Sequence, residues 1–343
     1  MSEWKEYKLG EIATFSYGSL PKKQLLGKGE YITYSGYKYL ESYPEYNCEE
    51  GDVILVARGV GGTGDVKLTS QKCYLTNLSI RISLNNDIIL NKYFYYIYQI
   101  ENLRYLDSGS VQSQITIKDL SNVILEIPSL EYQKDVVNIL SSLDDKIDLL
   151  RRENATLEAM AETLFRQWFV VEAKEEWEEG KLGDLIEVKY GKDHKKLSEG
   201  IIPVIGSGGV MRYADKYLYD KESVLIPRKG SLNNVMYINE PFWTVDTMFY
   251  TKMQRSNITK YVYHFMKGQD LANMNVGSAV PSMTTEVLNN IPVDIPPQEV
   301  FDRFENAVAS LYNKKKQNNK QIQTLIQTRD GLLPRLMSGE IKI

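Results

Sequence analysis

Three kinds of residue cluster in this 343-residue chain have the chemistry to touch a phosphate or a base edge, and each occurs twice. Lys22 and Lys23 follow a Tyr-Gly turn, and Lys192, His194, Lys195 and Lys196 follow another. Lysine pairs are usually a solvated face. Recurrence at the same place leaves phosphate contact equally open. Arg58 begins the stretch Arg58-Gly59-Val60-Gly61-Gly62-Thr63-Gly64, and Arg228-Lys229-Gly230-Ser231-Leu232-Asn233-Asn234 holds the corresponding place. The first has G-x-G-x-x-G spacing after a strand-like run, which binds a dinucleotide when a helix follows. Here Asp65-Val66-Lys67-Leu68-Thr69 follows and reads as extended, so no helix N-terminus faces a pyrophosphate. Two readings remain: a flexible hairpin tip, or a loop presenting arginine, Gly61 and Thr63 (Asn233 in the second copy) to DNA phosphate or base edges. The third cluster is Ser110-Val111-Gln112-Ser113-Gln114, repeated as Ser278-Ala279-Val280-Pro281-Ser282. Gln112 or Gln114 can pair with adenine, and the hydroxyls, Ser110, Ser278 and Ser282 among them, can donate to phosphate. Equally open is a turn that bonds its own backbone.

Signatures of catalysis are missing. The only histidines are His194 and His264, and no Cys/His spacing suits zinc. Asn239-Glu240-Pro241-Phe242 has glutamate where an amino-methyltransferase motif needs its first proline. No clustered carboxylate and lysine pattern suggests a nuclease. The expectation is a chain that catalyses nothing alone and holds no cofactor or metal.

The elements that must position these loops are long. From Val136, steps of three and four give Leu140, Leu143, Ile147, Leu150, Asn154, Leu157, Ala161, Leu164 and Trp168. This is a heptad seam with one polar member and no internal Gly or Pro, predicting one helix from Ser129 to Trp168. At ~1.5 Å per residue it is about 50 Å long and needs a long partner. Adding 168 to each position supplies one: Phe304, Val308, Leu311, Lys315, Asn318, Ile322, Leu325, Arg329, Leu332 and Leu336. The second seam is more polar, and Gly331 and Pro334 predict a break before Leu336. Asn154 sets the register of the pair or marks a seam open to another protein, the first being favoured. Residues 129–172 carry 5 basic against 9 acidic side chains and residues 297–343 carry 8 against 5, charges suited to pairing. Trp168, Phe169, Val170 and Val171 close the first helix with an apolar cluster, read as core packing or as a patch for a partner.

The modules repeat too. EWKEYKLGEIATFSYG at 3–18 matches EWEEGKLGDLIEVKYG at 176–191, VILVARG at 53–59 matches VLIPRKG at 224–230, and residues 109–129 match 277–297. The predicted organisation is a β-rich module over 1–128, a long helix over 129–172, a second module over 173–296 and a second long helix over 297–343. Strands are expected at 31–34, 52–56, 74–82, 223–226 and 248–252, with one helix per module at 92–106 and 259–273. The fold class is α+β, in tandem repeat, with the helices forming an antiparallel intramolecular coiled coil of pseudo-two-fold character. Hydrophobic residues make up 43% of the chain, enough for cores in both modules. Net charge is −4, so bulk charge does not predict nucleic-acid binding. A charged start, two cysteines and no 18-residue apolar run point to the cytoplasm.

Together these pieces resemble a known family. W-x-x-x-K-L-G opens each module, G-S-A-V-P-S-M-T runs on to I-P-V-D-I-P-P, LFRQWFV sits centrally and LLPRLMSGEI closes the chain. The order is similar to that of the DNA-specificity subunit of type I restriction–modification systems. The resemblance implies two target-recognition domains, each reading one half of an interrupted asymmetric site in double-stranded DNA. It implies helices that set the gap between halves and dock two methyltransferase subunits, with endonuclease/translocase subunits joining the full complex. Helix rise bounds the module separation at ~50 Å, against ~34–36 Å for one DNA turn. The alternative from another class is a coiled-coil scaffold whose modules bind protein or carbohydrate.

Overall fold

The structure, a computed structural model, describes residues 4–36, 38–59, 62–107, 113–274, 282–341 and 343. The chain divides into two compact units, Met1–Leu150 with Lys320–Ile343, and Arg151–Asn319.

In unit 1, β1 (Lys5–Lys8), α1 (Leu9–Ile12) and β2 (Ala13–Tyr17) are followed by the hairpin β3 (Tyr31–Ser35) and β4 (Lys38–Tyr43). Next come β5 (Val53–Val56), β6 (Val66–Leu68), β7 (Cys73–Leu75), β8 (Ser79–Leu84), α2 (Asn91–Ile100), α3 (Ile117–Ser121) and β9 (Ile124–Ile127). They build a four-stranded sheet in the order β2-β8-β5-β6, a three-stranded sheet β4-β3-β7 and a two-stranded sheet β1-β9. Val53, Ile54, Leu55 and Val56 are all fully buried because β5 has a neighbour on each side and cover on both faces. The helix α4 (Leu130–Arg166) starts just past Pro128, and a one-turn π segment, Gln167–Val171, continues it.

Unit 2 repeats this topology. The strands are β10 (Glu178–Lys181), β11 (Ile186–Tyr190), β12 (Ile202–Gly206), β13 (Gly209–Ala214), β14 (Ser223–Pro227), β15 (Met236–Ile238), β16 (Trp243–Thr244) and β17 (Met248–Met253). Then come α5 (Thr259–Lys267), α6 (Thr285–Asn289), β18 (Pro292–Ile295) and α7 (Gln298–Met337). The sheets are β11-β17-β14-β15, β13-β12-β16 and β10-β18, matching unit 1 strand for strand. Even the one parallel pairing recurs, β3 with β7 and β12 with β16.

Within each unit a stretch of α4 packs antiparallel on a stretch of α7. In unit 1, Tyr132 donates to the carbonyl of Leu336, Asp144 pairs with Arg329, and Ile147 and Leu150 pack with Ile322. In unit 2, Asn154 meets Asn318 and Glu158 meets Lys315. The expected break at Gly331 and Pro334 does not occur, since α7 runs through both to Met337. Pro334 leaves the Asp330 carbonyl without its intrahelical donor, a defect of about 3 kcal/mol in a helix interior. Burial of Leu333 and Leu336 in the unit 1 core holds the last turn in place despite it. Other extents differ less. The 74–82 run splits at Thr76–Leu78 into β7 and β8, and the 92–106 and 259–273 helices stop at Ile100 and Lys267.

Candidate nucleic-acid interface

The three loop types meet at one edge of each unit. β2 ends at Tyr17, and the chain then passes so close to the β7–β8 link that a Cβ on Gly18 would lie 2.3 Å from the Thr76 carbonyl oxygen. At Gly191 the same atom would lie 2.0 Å from the Val245 oxygen, which is why a glycine follows the tyrosine in both copies. The link carries the Leu78 carbonyl, which accepts from the backbone N–H groups of Ala57 and Arg58 at 2.9 and 3.0 Å. From the other side Ile115 N–H donates to the Ala57 carbonyl at 2.9 Å, and Arg58 forms a β-bridge with Gln114. In unit 2, Arg228 and Lys229 both donate to the Thr247 carbonyl, Met283 N–H donates to the Arg228 carbonyl, and Lys229 bridges Ser282. Thus the Tyr-Gly turn, the arginine loop and the small polar loop, far apart in sequence, share one edge.

The side chains on that edge differ in what they have free. Arg58 is half-buried and lies over the Tyr17 ring at 5.7 Å, and Arg228 lies over Tyr190 at 5.3 Å. Lys229 is exposed, and Gln114 and Ser282 are half-buried. Asp107 fastens the start of the Gln114 segment, accepting from Ser113 Oγ and from Gln114 N–H, the latter at 2.8 Å. Lys22, Lys23, Lys192, Lys195 and Lys196 are exposed, with Lys22 N–H donating to the Tyr43 hydroxyl at 3.2 Å. The backbone of Lys192 is tied down by Thr244 and by the Trp243 indole, which leaves its side chain in solvent. Asp193 accepts from the Lys195 N–H, which holds its carboxyl below the usual range.

Two residues are placed otherwise than the sequence suggests. Thr63 is buried and donates to the Gly59 carbonyl at 3.0 Å, so its hydroxyl shapes the loop and is not offered to a ligand. His194 is half-buried, with Nδ1 accepting from Arg212 Nε at 3.2 Å, while Arg212 Nη2 bonds the carbonyls of His194 and Leu197. It anchors the lysine turn to β13. Asn233 is exposed, but its Oδ1 accepts from Ala272 N–H at 2.9 Å. Gly61, Ser110, Gln112 and Ser278 lie outside the described residues. The glycine loop leads into β6 rather than a helix, so a dinucleotide finds no helix N-terminus there.

The family model described as "Type I restriction modification DNA specificity domain" matches this chain twice, over residues 1–159 and 174–327. The chain belongs to that family. Among similar specificity subunits is the Type I restriction enzyme MjaIX specificity subunit of Methanocaldococcus jannaschii, 24% identical over 99% of this chain and 94% of its own length. The Type I restriction enzyme HindI specificity subunit of Haemophilus influenzae is 22% identical over 99% of this chain and 100% of its own. In fold, the crystal structure of the S subunit of a type I restriction–modification system from M. genitalium matches with a TM-score of 0.66 at 20% identity, covering 98% of this chain and 96% of that one.

In this specificity chain the polar seam residue has a polar partner. Asn318, 1% exposed, donates to Asn154 Oδ1 at 3.0 Å and to Glu153 at 2.9 Å, and Asn154 donates to Asn319 at 2.7 Å. The positions matched to these by the 168-residue offset, Leu150 and Ile322, make the apolar pair of unit 1. The closing cluster of α4 divides: Phe169 and Trp168 pack among Phe301 and Phe304, whereas Val170 and Val171 are exposed. Among the described residues no carboxylate, Cys or His cluster is suited to a metal ion, and no helix is long and apolar enough to cross a membrane.

Sequence spacing missed Tyr17 and Tyr190, although the repeat itself marks them by placing each before its glycine. It also missed the hairpin tip between β12 and β13. A Cβ on Gly230 would lie 3.0 Å from Ser207 Oγ, and Asn234 donates to the Ser207 carbonyl at 2.7 Å.

Proposed function

We propose that this chain is the DNA-recognition subunit of a type I restriction–modification complex, each unit reading one half of an interrupted, asymmetric site in double-stranded DNA. The observation that carries the reading is that a cationic residue is bridged to an amide or hydroxyl residue at matching edges of two like modules, Arg58 to Gln114 and Lys229, beside Arg228, to Ser282. Exposed Lys22, Lys23, Lys192, Lys195 and Lys196 supply phosphate contacts that fix orientation. Residues on the loop edge face base edges, which carry the sequence information. With a net charge of −4 over the chain, loop chemistry outweighs general attraction to DNA.

Methyl transfer and cleavage belong to partners under this reading. Two methyltransferase subunits dock on the long helices and take the target base out of the duplex, and endonuclease/translocase subunits complete the complex. The chain itself contributes binding and orientation. The test is binding of random and genomic duplexes by the chain assembled with its methyltransferase partner, over a salt series. The expected result is salt-dependent binding to random DNA and tighter binding to a subset of genomic fragments. No binding to either at low salt would favour the scaffold reading, with modules for protein or carbohydrate.

A further inference from the structure

Arg58 and Arg228 do not occupy equivalent positions. Arg58 matches Lys229, since each forms the β-bridge to the third loop, at Gln114 and Ser282. Arg228 matches Ala57, since their carbonyls accept from Met283 and Ile115 respectively. Yet each guanidinium lies over the tyrosine that ends the first strand of its four-stranded sheet, and those tyrosines are equivalent. The stack is therefore reached from two different backbone positions. Duplication of an arginine does not account for it.

A guanidinium held over an aromatic face keeps its far edge available to a ligand. Tyr17 and Tyr190 are 40% and 52% exposed, so the stacks stand at the surface. Arg81, Arg329 and Arg335 have carboxylate partners, whereas neither Arg58 nor Arg228 forms an ion pair among the described residues. Arg58 Nε is buried without a hydrogen-bond partner, and Arg228 gives one Nη1 hydrogen to the Asp246 carbonyl at 3.2 Å. A planar donor fork suits two acceptors that are coplanar on one base edge. A phosphate needs no such plane, because a lysine serves it as a point charge.

We propose that each half-site contains a guanine read through O6 and N7 in the major groove by the tyrosine-stacked arginine, Arg58 in the first half and Arg228 in the second. Lys229, despite matching Arg58, contacts phosphate. Tyr17 and Tyr190 are positioning residues that hold the fork in place. This rests on the DNA-recognition reading above and names the base.

The test uses the chain assembled with its methyltransferase partner and a duplex carrying the site defined by sequencing methylated positions. Each guanine is replaced in turn by 7-deazaguanine, which lacks the N7 acceptor. At one guanine per half the replacement should weaken binding about 5-fold or more, the lower end of the range for a bidentate base contact, since O6 is kept. That sensitivity should vanish in Arg58→Met for the first half only and in Arg228→Met for the second only, since methionine has no donor for N7, and the intact half reports a folded protein. Tyr17→Leu should lower the first-half sensitivity, and Tyr17→Phe, which keeps the ring face, should restore it. The proposal is overturned if a half-site lacks guanine or if the methionine variants keep the 7-deazaguanine effect. It is also overturned if Arg58→Ala weakens all sequences alike and lowers the salt slope by about 1, the mark of a phosphate contact. Those outcomes leave DNA recognition standing, whereas equal affinity for the site and for random DNA would remove both.

Discussion

Tyr96 donates its phenolic hydrogen to Asp144 Oδ2 at 2.7 Å, joining α2 to α4 in unit 1. The residues 168 positions on, His264 and Tyr312, join α5 to α7 in unit 2, with Nε2 and the hydroxyl 2.9 Å apart. The duplicated joint has kept its place and exchanged its chemistry. Asp144 also receives Arg329 at 2.8 Å, so the unit 1 joint is ionic. The unit 2 joint is neutral and buried, with His264 stacked on Phe165 and its Nδ1 buried without a partner.

That burial predicts a pH dependence. Burial lowers the His264 pKa from 6.5 to about 4. Between those values the unfolded chain binds a proton that the folded chain refuses, so stability falls as pH drops through the window. The full span is worth at most on the order of 3 kcal/mol. Urea midpoints measured from pH 7 to pH 4 should decline with this slope, and His264→Phe should flatten it.

Glu158 gives a second, lower window. Burial alone would raise its pKa, but hydrogen bonds from Lys267, Lys315 and Tyr263 outweigh it and bring the carboxyl to about 2. A depressed carboxyl stabilises the fold above its unfolded value, 4.5, and that stability is lost as pH falls toward 2. At neutral pH, Glu158→Gln should cost about 1–3 kcal/mol, since it leaves two lysines without their shared partner. Equilibrium unfolding at pH 7 and pH 3 checks both parts, the deficit shrinking at the lower pH.

The asparagine pair predicts strong non-additivity. Asn154→Ile or Asn318→Leu alone leaves an amide facing an alkyl group in a buried layer, costing about 1–3 kcal/mol. The double variant copies Ile322 and Leu150 of unit 1, and most of that cost should return. A double-mutant cycle by urea unfolding should give a coupling of at least about 1 kcal/mol. Additive effects would mean that the two amides do not depend on each other.

What the sequence made legible was whatever depends on periodicity. The heptad seam located both long helices, and the apolar run of β5 located the centre of a sheet. The 168- to 173-residue offsets exposed the duplication, and with it the loops that share an edge. What escaped depends on contacts between distant segments. Thr63 turns inward because the Gly59 carbonyl is within reach, His194 is held by Arg212 in β13, and α7 survives Pro334 because Leu333 and Leu336 are buried on either side of it. The tyrosine beneath each arginine escaped for the same reason, since 41 residues separate Tyr17 from Arg58 and 38 separate Tyr190 from Arg228.

The central claim is that each unit reads its own half of the DNA site, and the most direct measurement is a map of methylated positions in a genome modified by the assembled complex. The wild-type chain should yield an interrupted motif. Arg58→Ala should relax only the bases on one side of the gap, and Arg228→Ala only those on the other. A continuous motif, or variants that each degrade both sides equally, would contradict the account.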